Sequence, residues 1–360
     1  MDFYNISENA IILQVYKEKC VQMKKTQYLS TLNVISAIAV VILHTNGCFW
    51  TYSTDRYWAT ANILESVMYF AVPVFFMISG ATLLDYRERY STGEYFKKRA
   101  FKALIPWFFW ATVGLVIALL TPVLYNVDTS WRGIIDAYMN SRMNGTYWFF
   151  FPLFSIYLTI PVISLIPKEK RIPIFTYVAG VHLLLSTFLP FLANKLQFSY
   201  NSSIEIMTGK NYFLFIVLGY LLHHIDFKRW QRAVIYVLSL GGLLTHLLGT
   251  YVLSREAGYI VQTYKGYMAF PSIFYAVGVF VFFKYLHLPA WVEKGVNYLA
   301  KYTFAIYLIH WYVLKIWVYY GGIDTRSMVW RLLGVIPIAA ICMLIARLLR
   351  FVPGLRKVVP

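Results

Sequence analysis

The feature that most constrains this chain is its repeated runs of about twenty apolar residues, broken by short basic loops. The first, Leu29 to Cys48, reads LSTLNVISAIAVVILHTNGC. A helix crossing a bilayer needs roughly 20 predominantly apolar residues, so one such run is one crossing. Because the runs recur along the whole length, the expected class is all-α and polytopic, not a soluble domain with an anchor. Charged residues make up 14% of the chain, against about 25% in an average soluble protein. The net charge of +17 does not indicate nucleic acid, because the cations sit in loops between apolar runs, where topology signals lie.

Ten crossings are expected. Their spans are Leu29–Cys48, Ala61–Leu84, Phe101–Tyr125, Thr146–Ile166, Ile172–Leu192, Asn211–His223, Ala233–Leu253, Gly266–Leu286, Asn297–Tyr320 and Met328–Val352. Residues 1–28 form a tail in which Ile6–Met23 has weak amphipathic character. Residues 29–352 form the membrane domain, and 353–360 a second tail. No cleavable signal is expected, since the chain opens on acidic and polar residues and its first apolar run is too long for a signal core. Residues 126–145 are polar, with a short amphipathic turn around Ile134.

Charge sets the orientation. With the amino terminus inside, every inner segment carries at least three Lys or Arg, and no outer loop carries more than two. The positive-inside rule then places both termini in the cytoplasm, which requires an even number of crossings.

Within this frame a few residues stand out chemically. His44 is the one ionisable group of the first span. It lies about 22 Å up the helix from Leu29, in the outer half. Polar groups inside a membrane are expensive and mark function by default, although a hydrogen-bonded structural histidine fits the position too. Asn33 lies about three turns earlier on nearly the same face. Glu65 lies at similar depth on the second span. A Glu65–His44 contact would orient the imidazole as a general base; the alternative is a carboxylate facing headgroups. Ser79-Gly80 ends the second span and permits close helix approach. Lys98, Arg99 and Lys102 form one basic face at the inner surface if the segment is α-helical. That face suits either anionic lipid or the phosphates of a soluble cofactor. Arg142, Tyr147 and Trp148 at the outer start of the fourth span read as an aromatic belt or a sugar platform. His310 lies near mid-membrane in the ninth span. His182 and His246 read as structural. Cys20, Cys48 and Cys342 give neither a metal spacing nor a disulfide framework. No Gly-rich phosphate loop and no metal site is expected.

The ordered set of a first-span histidine, VPVFFMISG, a basic KRxxKxxxP cluster, YWFFFPLFSIYLTIP, FLFIVLGYLL and YTFAIYLIH resembles the acyltransferase-3 family of integral membrane acyltransferases. Many of its members O-acetylate cell-surface glycans. The resemblance covers roughly residues 28–350. It implies a ten-helix domain in a cell membrane, in bacteria the plasma membrane. It also implies an acyl-CoA donor, acetyl-CoA above all, drawn from the cytosol as cosubstrate, with no tightly bound cofactor. His44 matches the family's essential histidine, Arg99 and Lys102 its paired basic positions, and Ser79-Gly80 its Ser-Gly motif. This chain departs from the pattern at Asn33, where the family usually has arginine, and at Ser30, where it usually has an acid.

The reading that follows is acyl transfer to a glycan hydroxyl. Lys98, Arg99, Lys102 and Ser79 would hold the donor, His44, Glu65 and Asn33 would serve catalysis, and Arg142, Tyr147, Trp148 and His310 would contact the acceptor. His44 would act as a base or as a covalent relay. A transporter or flippase for a glycan lipid is the rival from another class, since intramembrane His and Glu with Pro-interrupted helices fit it too. A catalytically silent relative is the third reading. The expected partners are the lipid bilayer, acyl-CoA and a glycan.

Overall fold

A computed structural model describes residues 26–121, 128–201, 203–204 and 212–360. The expected Ile6–Met23 segment, the end of the third span at Tyr125 and the start of the sixth at Asn211 lie outside the described residues. All regular structure among the described residues is helical. Among the described residues, seven helical stretches are long and apolar enough to cross a membrane, and two shorter apolar helices join them. With the less apolar Thr303–Tyr320, helix occurs at all ten expected places.

In chain order the helices begin with α1 (Thr26–Thr45), α2 (Arg56–Met68) and α3 (Ala71–Leu83). Next come α4 (Thr92–Arg99), α5 (Ile105–Leu120) and α6 (Trp131–Met139). They continue with α7 (Phe150–Ile163), α8 (Lys168–Leu183), α9 (Leu189–Lys195) and α10 (Phe213–His224). The last are α11 (Arg229–Ala257), α12 (Phe270–Tyr285), α13 (Ala290–Ala300), α14 (Thr303–Tyr320), α15 (Met328–Leu333) and α16 (Val335–Phe351).

Several boundaries differ from expectation for local reasons. The second span is two helices, because the chain turns at Tyr69–Phe70 just before Pro73, whose missing N–H cannot bond back into a continuous ladder. The basic loop before the third span is itself helical from Thr92: Ser91 caps it, its hydroxyl accepting the Glu94 amide at 3.3 Å. Helix α11 runs beyond both expected ends and stops at Gly258, which takes the left-handed φ of 73°. The ninth span divides at Lys301–Tyr302 into α13 and the buried α14.

Burial separates centre from rim. The apolar window of α1 is 72% buried and that of α11 only 22%. Helix α1 is therefore central, and α11 shows Val237, Leu240 and Leu248 outward, as lipid contact requires. The tightest crossing is α3 on α10. A Cβ on Gly80 would lie 2.0 Å from the Ile216 carbonyl oxygen, and one on Gly219 2.0 Å from that of Met77. Each glycine lets the other backbone approach, the small-residue packing anticipated for Ser79-Gly80.

Candidate active site

The site is built on α1 and α14, which run parallel. Two polar rungs join them. Asn33 Nδ2 donates to Thr303 Oγ1 at 2.9 Å. Eleven residues further up α1, His44 Nδ1 meets His310 Nε2, also at 2.9 Å. The two imidazoles stack with centroids 5.0 Å apart, and Trp311 closes edge-on over His44 at 5.4 Å.

The proton positions of this pair follow from its outer partners. His310 Nδ1 lies 3.0 Å from the Ile306 carbonyl oxygen and 2.8 Å from that of Tyr307. Carbonyls only accept, so His310 Nδ1 carries a hydrogen. In a neutral imidazole the other nitrogen then accepts, so His310 Nε2 takes a hydrogen bond from His44 Nδ1–H. His44 is left with a lone pair on Nε2, which has no hydrogen-bond partner among the described residues. The chain of main-chain carbonyl and His310 orients the His44 imidazole as a carboxylate would.

Glu65 does not take the place expected for it. Its Oε1 pairs with Lys265 Nζ at 2.9 Å, and both side chains are buried. Periodicity put Glu65 at the depth of His44, but its face points to α11 and the loop after it. Burial lowers the Lys265 pKa against the opposing pull of Glu65. Lys265 lies two hundred residues away in a loop, where no local pattern announces it.

Below the histidines lies a cavity of about 290 Å³. Asn33, Ser79, Arg99, Tyr157 and Tyr307 line it together with Phe149, Phe304 and other apolar side chains. It thus gathers three of the singled-out residues from three separate elements. Arg99 is its one charged lining residue among those described. The guanidinium sits 5.8 Å from the Tyr95 ring and 5.5 Å from that of Tyr157, and its Nε is buried without a hydrogen-bond partner among the described residues. Ser79 Oγ donates to the Phe75 carbonyl at 3.2 Å.

The expected basic face is divided. Immediately after Arg99 the chain forms a π-helix, Ala100–Leu104, so α-helical spacing does not carry from Arg99 to Lys102. Arg99 faces the cavity, whereas Lys102 is exposed. Lys98 pairs with Glu94 at 2.9 Å and lies 3.9 Å over the Tyr90 ring. Such π segments recur at functional positions and have no reliable sequence signal.

The outer aromatic pair also divides. The turn Gly145–Phe149 is held by Asn144, whose Oδ1 accepts from the Thr146 amide and hydroxyl at 3.0 and 2.7 Å. Tyr147 is fully buried and donates to the Leu308 carbonyl at 2.7 Å, while Tyr307 donates to the Thr146 carbonyl at 2.6 Å. These reciprocal bonds lock the turn to α14, so Tyr147 has no exposed face for stacking. Trp148 is 36% exposed and stacks on Tyr267 at 5.8 Å. Arg142 pairs with Asp136 at 2.7 Å on the surface, away from this cluster. His310, expected at the acceptor, is fully buried against His44. Its i, i+3 spacing from Tyr307 was visible in the sequence, but its partner on α1 was not.

A family model described as an acyltransferase domain, Acyl_transf_3, matches residues 27–347. The chain is 27% identical to nodulation protein NolL of Mesorhizobium japonicum over 125 residues, 35% of this chain and 32% of that protein. It therefore spans about a third of that relative's length. No solved structure matches.

Proposed function

Because the chain belongs to the acyltransferase-3 family of membrane acyltransferases, we propose that it moves an acyl group, acetyl in the first instance, from cytosolic acyl-CoA to a hydroxyl of a cell-surface or lipid-linked glycan. The observation that carries this reading is the His44–His310 pair, with its lone pair on His44 Nε2, above a cavity that Arg99 enters from the inner side. At about 290 Å³ the cavity suits an extended thioester arm rather than a nucleotide, since drug-sized ligands take roughly 300–1,000 Å³. The nucleotide phosphates stay at the inner mouth, where Arg99 and the exposed Lys102 offer charge-assisted hydrogen bonds.

In the transfer, His44 Nε2 removes the acceptor hydroxyl proton as the oxygen attacks the thioester carbonyl carbon. The C–S bond breaks, and the thiolate leaves with the proton that His44 accepted. General-base action of this kind contributes about 10²–10⁴-fold in rate. Asn33, where the family usually has arginine, lines the same cavity as Arg99 and bonds to Thr303.

The test is release of free CoA from acetyl-CoA by purified protein in nanodiscs offered cell-surface polysaccharide. His44→Ala is expected to remove turnover while the protein stays folded. Turnover at the wild-type rate in that variant would refute the assignment.

A further inference from the structure

One face of α14 leads outward from the cavity past the base. Phe304, Tyr307, Trp311 and Lys315 follow one another at spacings of three and four residues, so they share that face. Phe304 and Tyr307 line the cavity, Trp311 closes over His44, and the Lys315 ammonium lies 5.0 Å from the centre of the Trp311 ring. Helical side chains tilt toward the amino end, and α14 begins on the inner side. The lysine stem therefore runs inward to the base instead of snorkelling out to the headgroups. The ammonium and the His44 imidazole thus flank one indole. His44, Trp311 and Lys315 are all half-buried, so this side of the base is open rather than sealed.

A second cation stands close by. Trp317 meets Trp330 edge-on at 5.9 Å, which packs α15 on the outer half of α14. Thr45, the neighbour of His44, donates through its hydroxyl to the Arg331 carbonyl at 2.9 Å. Arg331 is buried. Its guanidinium donates to the Tyr57 carbonyl at 3.1 Å and to Thr60 Oγ1 at 2.9 Å, and its Nε has no hydrogen-bond partner among the described residues. Among the described residues, neither Lys315 nor Arg331 has a carboxylate within ion-pair distance. Ionisable groups inside a membrane protein are costly without a counter-charge and mark ligand pathways. Two cations and no carboxylate beside the His44 lone pair give the outer approach a positive potential, which draws anions.

We propose that Lys315 sets acceptor specificity by holding a negatively charged group, a carboxylate or a phosphate, within one or two sugar units of the hydroxyl that His44 deprotonates. The proposal rests on the acyl-transfer reading and adds the sign of the acceptor's charge and the residue that reads it. A neutral acceptor would leave the ammonium uncompensated beside the base, whereas an anionic one offers it a charge-assisted hydrogen bond. Arg331, already committed to two oxygens, supplies field rather than contact.

The test uses the protein in phosphatidylcholine nanodiscs and matched pairs of oligosaccharides: uronate-bearing ones with their carboxyl-reduced forms, and phosphate-bearing ones with their dephosphorylated forms. Binding is measured without acetyl-CoA. Wild type is expected to bind the charged member of at least one pair about 10- to 150-fold more tightly, the worth of a hydrogen bond to a charged group. Lys315→Gln should bind both members alike and Lys315→Arg should keep the preference, with acetyl-CoA affinity and thermal unfolding unchanged in both. Equal binding within every pair by wild type, or a preference that survives Lys315→Gln, would overturn the proposal. So would a Lys315→Gln effect confined to discs containing phosphatidylglycerol, since the lysine would then be meeting headgroup phosphate. CoA release by the same preparations tests acyl transfer separately. Its absence with the charge preference intact would sink that reading and leave the anion site standing.

Discussion

Replacing His310 with phenylalanine isolates what the second histidine does. The ring fills a similar space, so the packing against Tyr307 is largely kept, but the acceptor for His44 Nδ1–H is gone. Two effects follow from the 2.9 Å contact. An orphaned buried donor costs about 1–3 kcal/mol, roughly 5- to 150-fold at 1.4 kcal/mol per decade. The imidazole is also released to carry its proton on Nε2, which removes the base from that fraction of molecules. The expected result is a fall in kcat of about 10- to 100-fold, bounded above by the roughly 10⁴-fold loss seen when a serine-protease histidine is held in the wrong tautomer. The KM for acetyl-CoA should stay within about twofold, because His310 does not line the cavity that Arg99 enters. The assay is steady-state CoA release in nanodiscs, with donor affinity measured independently by titration and folding by thermal unfolding. An unchanged kcat would refute the orienting role. A parallel loss of donor affinity would show that the substitution had collapsed the cavity instead.

Arg99→Gln should weaken acetyl-CoA binding about 10- to 150-fold, since a hydrogen bond to a charged group is worth about 1.5–3 kcal/mol; Lys98→Gln, whose ammonium is held by Glu94 and Tyr90, should cost far less, and isothermal titration of equal affinities would sink the cofactor role of Arg99. Glu65→Leu should destabilise the fold by about 3–5 kcal/mol by stranding Lys265, and Glu65→Leu with Lys265→Met should recover most of it; a denaturation series in which the double variant is no better than the single would contradict the pairing. Arg142 holds the Asp136 carboxyl below its ordinary range, so the stabilisation of segment 131–145 is fully present above the ordinary carboxylate range and is lost as pH falls through the depressed pKa. Hydrogen exchange in that segment should therefore accelerate only under strongly acidic conditions, and acceleration already at pH 6 would refute the linkage.

The parts of this molecule legible in its sequence are those that periodicity and composition carry. Apolar runs located the ten helical places, Ser79-Gly80 announced the α3–α10 crossing, and His44 stood out as the one ionisable group of the first span. What stayed hidden depends on contacts distant in the chain or on departures from regular geometry. Glu65 is visible in the sequence as a carboxylate on the second span, yet its partner comes from a loop two hundred residues on. The basic triplet was read on an ideal α-helix, and the π-helix after Arg99 turned Lys102 away. Tyr147 looked like a surface aromatic because nothing in YWFFF tells which ring meets the Leu308 carbonyl. The cavity was not predicted at all: it draws Asn33, Ser79, Arg99 and Tyr307 from four separate stretches.

The anchoring of His310 on two main-chain carbonyls bears on how this site can evolve. A triad acid can be lost by a single base change; a peptide oxygen cannot. Substitutions at Ile306 or Tyr307 alter side chains and leave intact the acceptors that orient the histidines. The Tyr307 carbonyl serves His310, while its ring walls the Arg99 cavity and its hydroxyl holds the Thr146 carbonyl. Phenylalanine at 307 would keep the carbonyl and the ring and lose only the hydroxyl's hold on the Thr146 carbonyl, whereas a smaller residue would widen the cavity and also release the turn and the packing against His310.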